Sequence, residues 1–298
     1  MLFTAFKATA EKYPHRPALN DLTYMELLSL IEEDNGGGVL ADIIRASRLK
    51  KNIVVEPLNN DGIQPAEEYE GFCLVLWSSG SSGVRKPIYI TEDMLLANAK
   101  NSIECNNITH EDIVYTVCSM CHTGGINAQS LPALLAGAHV VVEPFNAFTF
   151  FRRINEIGAT ITHVVPRMIQ ALMKVERRGA PTLKTVMCGS DCVTADDVRF
   201  FTNLDCDFIL NYGLTEAGPI IINHRFKLGD DLSIFNYGVP LGTRTWCRTV
   251  LIGSQLALLG DCVQDGSMLT GDCVYMRDEW YMYRGRLING VCQKVKKA

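Results

Sequence analysis

A chain of 298 residues with 47% apolar side chains can bury a large core in one or two lobes, and such a composition excludes disorder along its length. A net charge of −5 gives no support to general nucleic-acid binding. The longest apolar run, 131–142, is too short to span a bilayer and contains His139, and residues 1–7 lack the basic start and apolar stretch of a secretion signal.

Phe3, Phe6 and Ala10 recur at helical spacing until Tyr13-Pro14 stops the pattern. Thr23 is placed to cap a second helix running to Glu32, which Asn35-Gly36-Gly37-Gly38 closes. Gly36 and Gly38 follow a helix rather than a strand, so they form no dinucleotide loop. Residues 40–49 read as a short helix, 52–57 as a strand and 59–69 as a polar loop.

The apolar strand 74–77 then runs into Ser78-Ser79-Gly80-Ser81-Ser82-Gly83-Val84-Arg85-Lys86-Pro87. Glycines that let backbone approach an anion, donor hydroxyls and N–H groups, and the Lys86 cation are the parts of a phosphate cradle. The spacing is not that of the Walker loop. A flexible Ser/Gly linker is the competing reading.

Thr91 is placed to cap a helix whose first turn carries Glu92 and Asp93. A strand at 113–117 leads to a glycine-containing loop, 118–127, and a helix at 128–136. Strands at 138–142, 160–165, 185–187 and 208–210 alternate with helices at 148–157, 168–175 and one capped by Thr194. This alternation predicts an α/β fold with a mostly parallel sheet layered with helices. Four loops after strands are rich in small or polar residues: the Ser/Gly loop, the His122 loop, Cys188-Gly189-Ser190-Asp191, and Asn211 to Glu216. Ligands of such sheets gather at strand carboxyl ends, so these loops are expected to share one crevice. From residue 236 onward short alternations with Gly, Thr and Val predict a small antiparallel β subdomain. The expected division is therefore 1–235, an α/β region, and 236–298, the β subdomain.

Eleven cysteines, an odd number scattered through both element types, fit the reduced thiols of a cytoplasmic enzyme better than a disulfide framework. Cys118-Ser119-Met120-Cys121-His122 has the spacing of c-type haem attachment, a chemistry that needs export. A zinc site joining Cys118, Cys121, Cys188 and Cys192 is a second reading, and buried small thiols are the preferred one.

Taken together, the ordered motifs resemble the adenylate-forming superfamily of acyl-CoA synthetases, peptide-synthetase adenylation domains and firefly luciferase. Ser78 to Lys86 resembles its phosphate loop, Tyr212-Gly213-Leu214-Thr215-Glu216 its YGxTE motif, Thr270-Gly271-Asp272 its TGD motif, and Tyr283-Arg284-Gly285-Arg286 its YxGR motif. Cys188-Gly189-Ser190-Asp191 stands where the family has GGA, and Cys121-His122-Thr123-Gly124-Gly125 resembles its acid-pocket motif. Tyr13-Pro14, Pro17-Ala18-Leu19 and Thr23 to Leu27 resemble its opening.

The resemblance implies ATP-dependent activation of a carboxylic acid as an acyl-adenylate, with transfer to CoA or a phosphopantetheine carrier thiol. It implies that Ser78, Ser79, Gly80, Ser81, Ser82, Gly83 and Lys86 hold the β- and γ-phosphates and Thr215 the α-phosphate. Glu216 would bind Mg²⁺, a hard cation suited to carboxylate oxygen. Gly189, Ser190, Asn211, Tyr212 and Gly213 would enclose adenine, Asp272 would accept the ribose hydroxyls, and Arg286 would assist. His122, Gly124, Gly125 and Gly189 would border the acid, and Lys86, Thr215, Glu216 and His122 would carry the chemistry. Competing readings make Glu216 and Asp272 solvated carboxylates, His122 a loop residue and Tyr212 a core residue. Met120-Cys121-His122-Thr123 offers no Asp for a substrate ammonium, which favours an acid without an α-amino group. The short build resembles compact o-succinylbenzoate–CoA ligases.

Three departures stand out. Arg85 replaces the loop proline, and the stretch from Tyr24 to Ser78 is shorter than the family norm. The sequence runs only a little past Arg286, where the family continues into a mobile C-terminal domain with a lysine. Leu287-Ile288-Asn289-Gly290 carries no hinge Asp, and Lys294, Lys296 and Lys297 lie too close to stand for that lysine. The expectation is a compact or split form, completed by a separate C-terminal-domain chain or carrier protein. A catalytically weakened AMP/ATP- or acyl-binding module working through a partner is the alternative.

Overall fold

The computed structural model describes residues 1–56, 69–78, 86–175 and 179–294. They fall into two compact units: Met1–Phe145 with Ala159–His163, and Asn146–Gly158 with Val164–Ala298. Among the described residues no helix is long and apolar enough to cross a membrane.

In the first unit the helix Leu2–Lys12 buries Leu2, Phe6 and Ala10, one stripe at helical spacing. The sequence reading passed over a short hairpin that follows, Pro17–Leu19 against Leu22–Thr23. Two such brief strands leave too few residues to show a period. Thr23 caps the helix Tyr24–Glu32 in a full capping box: its hydroxyl accepts from the Glu26 N–H, and Glu26 Oε2 accepts from the Thr23 N–H at 2.8 Å. Thr91 likewise caps Glu92–Asn106. The strand Ile113–Thr116 lies parallel between His139–Val142 and Ile161–Val164, and Pro17–Leu19 pairs parallel with His139–Val142. A separate three-stranded sheet holds Cys73–Trp77, buried at every position, between Asn52–Val54 and Pro87–Thr91.

One helical segment begins earlier than expected. Helical backbone starts at Thr123–Gly125, passes through a π turn at Ile126–Ser130 and continues as Leu131–Ala136. Pro132 has no N–H to offer the carbonyl one turn earlier, that of Ala128. The Ser102 hydroxyl of the helix Glu92–Asn106 donates to that carbonyl instead. Ser130 Oγ donates to Gly125 O at 2.7 Å. A local helix signal does not register such a side-chain substitute.

In the second unit the strand Thr185–Cys188 runs parallel to Asp207–Leu214, which returns antiparallel as Gly218–Phe226. The expected loop 211–216 is thus mostly strand, and only Thr215-Glu216-Ala217 forms the turn. The helices Phe150–Ile157 and Ala195–Thr202 bring Phe151 and Phe200 together at 6.2 Å between ring centroids. Thr194 caps the latter helix in a second capping box. The later residues build a six-stranded antiparallel sheet. Its strands Ser267–Arg277 and Trp280–Ile288 pair along most of their length, with a bulge between Cys273 and Val274. Leu256, Leu258, Cys262, Val263 and Val274 pack with Ala217, Ile221 and Ile222 in one apolar cluster.

The fold is therefore α/β, with parallel strands layered with helices and a separate antiparallel sheet, as the sequence reading expects.

Candidate active site

In the second unit, residues from three motifs meet around one carboxylate. Tyr212 lies on the strand Asp207–Leu214 and Asp272 on Ser267–Arg277, 60 residues apart, yet Tyr212 Oη donates to Asp272 Oδ2 at 2.7 Å. Arg286 faces Asp272 across the hairpin, with Nε 3.8 Å from Oδ1. Thr270 Oγ1 accepts from the Asp272 N–H at 3.0 Å and donates to Leu256 O at 2.9 Å, which anchors the turn of backbone before the carboxylate. Asp272 is only 4% exposed. Burial raises its pKa, outweighing the Tyr212 hydroxyl and the Arg286 charge, which both lower it. Burial also raises the Tyr212 phenol well above its usual value, with the Asp272 charge adding to it. The Tyr283 phenol is pushed to about 12, mainly by burial.

Glycine is required where neighbouring strands close on this cluster. A Cβ at Gly189 would lie 2.4 Å from Asn211 O, and one at Gly213 would lie 2.1 Å from Pro219 O. Ser190, next to Gly189, is exposed and takes a left-handed backbone at φ 71°. Asn211 Nδ2 donates to Pro219 O at 2.5 Å, while its Oδ1 is buried without a partner. Gly189, Asn211, Tyr212, Gly213, Asp272 and Arg286 are thus neighbours in one unit.

Thr215 and Glu216 occupy the turn after this strand, both half-buried, beside the fully buried Ala217. Among the described residues no group of three or more His, Cys, Asp or Glu side chains could hold a metal by itself. A single carboxylate nevertheless fits Mg²⁺, which retains waters and takes remaining ligands from nucleotide phosphates.

The residues expected at the outer phosphates, and His122, Gly124 and Gly125 of those expected at the acid, lie in the first unit. Ser78 N–H donates to Lys86 O at 2.9 Å, and Lys86 N–H donates to Ser78 Oγ at 3.2 Å. These bonds continue the Trp77–Pro87 pairing, so both ends of the loop are anchored on a hairpin. Lys86 is exposed. Ser79, Gly80, Ser81, Ser82 and Gly83 lie outside the described residues.

His122, also exposed, sits at the N-terminus of the short helical turn Thr123–Gly125, and its carbonyl accepts from the Gly125 N–H at 3.1 Å. Gly125 is pressed on the preceding loop, where a Cβ would meet Ser119 O at 2.2 Å. Gly124 faces His163, a buried residue that the sequence reading did not single out. His163 Nδ1 lies 3.3 Å from Gly124 O, and Cys118 Sγ donates to His163 O at 3.3 Å. Burial lowers the His163 pKa to about 4 and raises that of Cys118 to about 12. None of the eleven cysteines forms a disulfide.

Known proteins resemble this chain in sequence and in fold. The indoleacetate–CoA ligase of Aromatoleum aromaticum is 31% identical over 151 residues, which is 49% of this chain and 30% of that protein. The feruloyl-CoA synthase of Amycolatopsis is 27% identical over 173 residues, 56% of this chain and 35% of that protein. The chain thus spans about a third of the length of these relatives. The N-terminal domain of FACL13 from Mycobacterium tuberculosis has the same fold, with TM-score 0.81 at 13% identity over 96% of this chain and 99% of that one. A family model described as AMP-binding enzyme matches residues 36–252, most of the sequence, and the chain belongs to that family, within the adenylate-forming superfamily.

Proposed function

We propose that this chain activates a carboxylic acid with ATP as an acyl-adenylate and hands the acyl group to CoA or a phosphopantetheine carrier thiol. The observation that carries the reading is the 2.7 Å bond between Tyr212 and Asp272, which joins the motif expected at the base to the motif expected at the sugar. Asp272 accepts the ribose hydroxyls with Arg286 beside it, and Gly189, Ser190, Asn211, Tyr212 and Gly213 enclose adenine. Ser78 to Gly83 and Lys86 hold the outer phosphates. Thr215 contacts the α-phosphate, Glu216 holds Mg²⁺, and His122, Gly124, Gly125 and Gly189 border the acid.

A carboxylate oxygen of the acid attacks the α-phosphorus, and the bond to pyrophosphate breaks. Lys86 neutralises charge on the departing phosphates, and donors aimed at that charge lower the barrier. Bound Mg²⁺ supplies further charge stabilisation on the phosphates. The functional division falls at residue 236, and the work is cytoplasmic, in keeping with cysteines that form no disulfide. A C-terminal domain or a carrier protein completes the thiol step, in which sulfur bonds the acyl carbon, the acyl–phosphate bond breaks and AMP leaves.

Calorimetry of AMP binding, with ATP–pyrophosphate exchange over a panel of acids, tests this. AMP should bind, Asp272→Ala should abolish binding, and exchange by the 298 residues alone should be slow. Failure of AMP to bind, or binding unaffected by Asp272→Ala, would overturn the reading. AMP binding with no exchange for any acid, even with a C-terminal domain supplied, would favour a nucleotide-binding module acting through a partner.

A further inference from the structure

Behind the His122 turn, the first unit buries polar side chains whose hydrogen bonds are incomplete. Thr123 Oγ1, Asn127 Oδ1, Gln129 Oε1 and His163 Nε2 are shielded from solvent and have no partner. Buried polar atoms are normally paired, so four in one short helical segment and the strand beside it call for a missing group. Its chemistry follows from the protons. Gln129 Nε2 donates to Thr116 Oγ1 at 3.0 Å, which leaves the amide oxygen as the unpaired end. Gly124 O can only accept, so the His163 proton sits on Nδ1 and Nε2 carries a lone pair. Asn127 Oδ1 is also an acceptor. Three of the four atoms lack a donor, and Thr123 Oγ1 can serve as either.

His163 is the member whose surroundings are best defined. Its imidazole holds Gly124 O, its carbonyl accepts from the Cys118 thiol, and a Cβ on Gly124 would lie 3.5 Å from its Cε1. The ring is thereby held at one end of the loop that carries His122 and the backbone of the same residue at the other. Burial keeps it neutral at physiological pH.

We propose that His163 Nε2 accepts a hydrogen bond from a hydroxyl group on the carboxylic acid, so that the substrate is a hydroxylated acid rather than a bare hydrocarbon one. This rests on the adenylate-forming reading above. An ammonium group is the poorer donor here, because the buried unpaired atoms of this segment and strand are a neutral imidazole, two amide oxygens and a hydroxyl, with no carboxylate among them.

The test uses non-hydrolysable acyl-sulfamoyl adenosines carrying phenylacetyl or its 2-, 3- and 4-hydroxy forms, with AMP alongside, measured by calorimetry on the 298-residue chain. One hydroxylated isomer should bind about tenfold tighter than the parent, the worth of one buried hydrogen bond. His163→Leu should bring that ratio to about one. Should that variant fail to fold, imidazole ¹⁵N spectra of the unmodified chain decide: the Nε2 resonance should move with the preferred hydroxylated ligand and stay put with the parent. If AMP binds while every hydroxylated form matches or trails the parent, the atoms hold only trapped water and the inference fails alone. A preference that survives in His163→Leu, or an Nε2 resonance that ignores the ligand, overturns it as well. If neither AMP nor any analogue binds, the adenylate-forming reading falls and takes this inference with it.

Discussion

Asp272 is held where its charge is disfavoured, and this has a measurable consequence. A carboxyl whose pKa is raised by folding contributes stability below its unfolded value and loses it as pH rises through the folded value. At neutral pH the ionised group therefore weighs against the fold. Asp272→Asn should raise the melting temperature at pH 7 relative to the unmodified chain, and the difference should vanish by pH 3, while AMP binding is lost. His163 has the opposite sign. Its pKa falls to about 4, so its contribution is complete above the unfolded value of about 6.5 and is lost on acidification. The total is roughly 3 kcal/mol between those limits. Urea midpoints at pH 7, 5 and 4 should fall less steeply in His163→Gln. Gly213→Ala should cost about 1–3 kcal/mol, because its new methyl would sit on the Pro219 backbone. Gly179→Ala, with open space around it, should be nearly neutral. Asp272 was legible in the sequence because a motif marks it. His163 was not, since it stands between Thr162 and Val164 in a strand of ordinary composition, and only the approach of Gly124 shows its place.

Among the elements, those with a terminal signal were readable and those made by distant partners were not. Thr23, Thr91 and Thr194 cap their helices as expected, each through its own hydroxyl. The strand Gly218–Phe226 escaped notice because Gly-Pro opens it and three isoleucines run together, so no alternation marks it. The π turn escaped because its support comes from Ser102, far away in sequence. That support predicts a coupling. Ser102→Ala should destabilise the chain by about 1–3 kcal/mol, since the Ala128 carbonyl loses its donor. In a Pro132→Ala background, where an N–H becomes available one turn later, the same change should cost less. A double-mutant cycle by urea unfolding measures the difference.

For the whole molecule, composition and alternation were enough to give the α/β class, because burying so many apolar residues in strands and helices leaves few layered arrangements. The family match over residues 36–252 agrees. A ligand that binds only the folded chain raises its stability by mass action, about 2.7 kcal/mol at a hundredfold excess over Kd. AMP should therefore raise the melting temperature in a concentration-dependent way, and Asp272→Ala should remove that shift.

The bulge between Cys273 and Val274 lies inside the hairpin that sets Asp272 opposite Arg286. Each side chain's face in such a ladder depends on counting, so losing or gaining one residue within 273–277 or 280–285 would turn one member of the pair over. Spelling along this stretch can drift through point changes, whereas its letter count cannot. Natural variants should accordingly differ there by replacement and almost never by a gap.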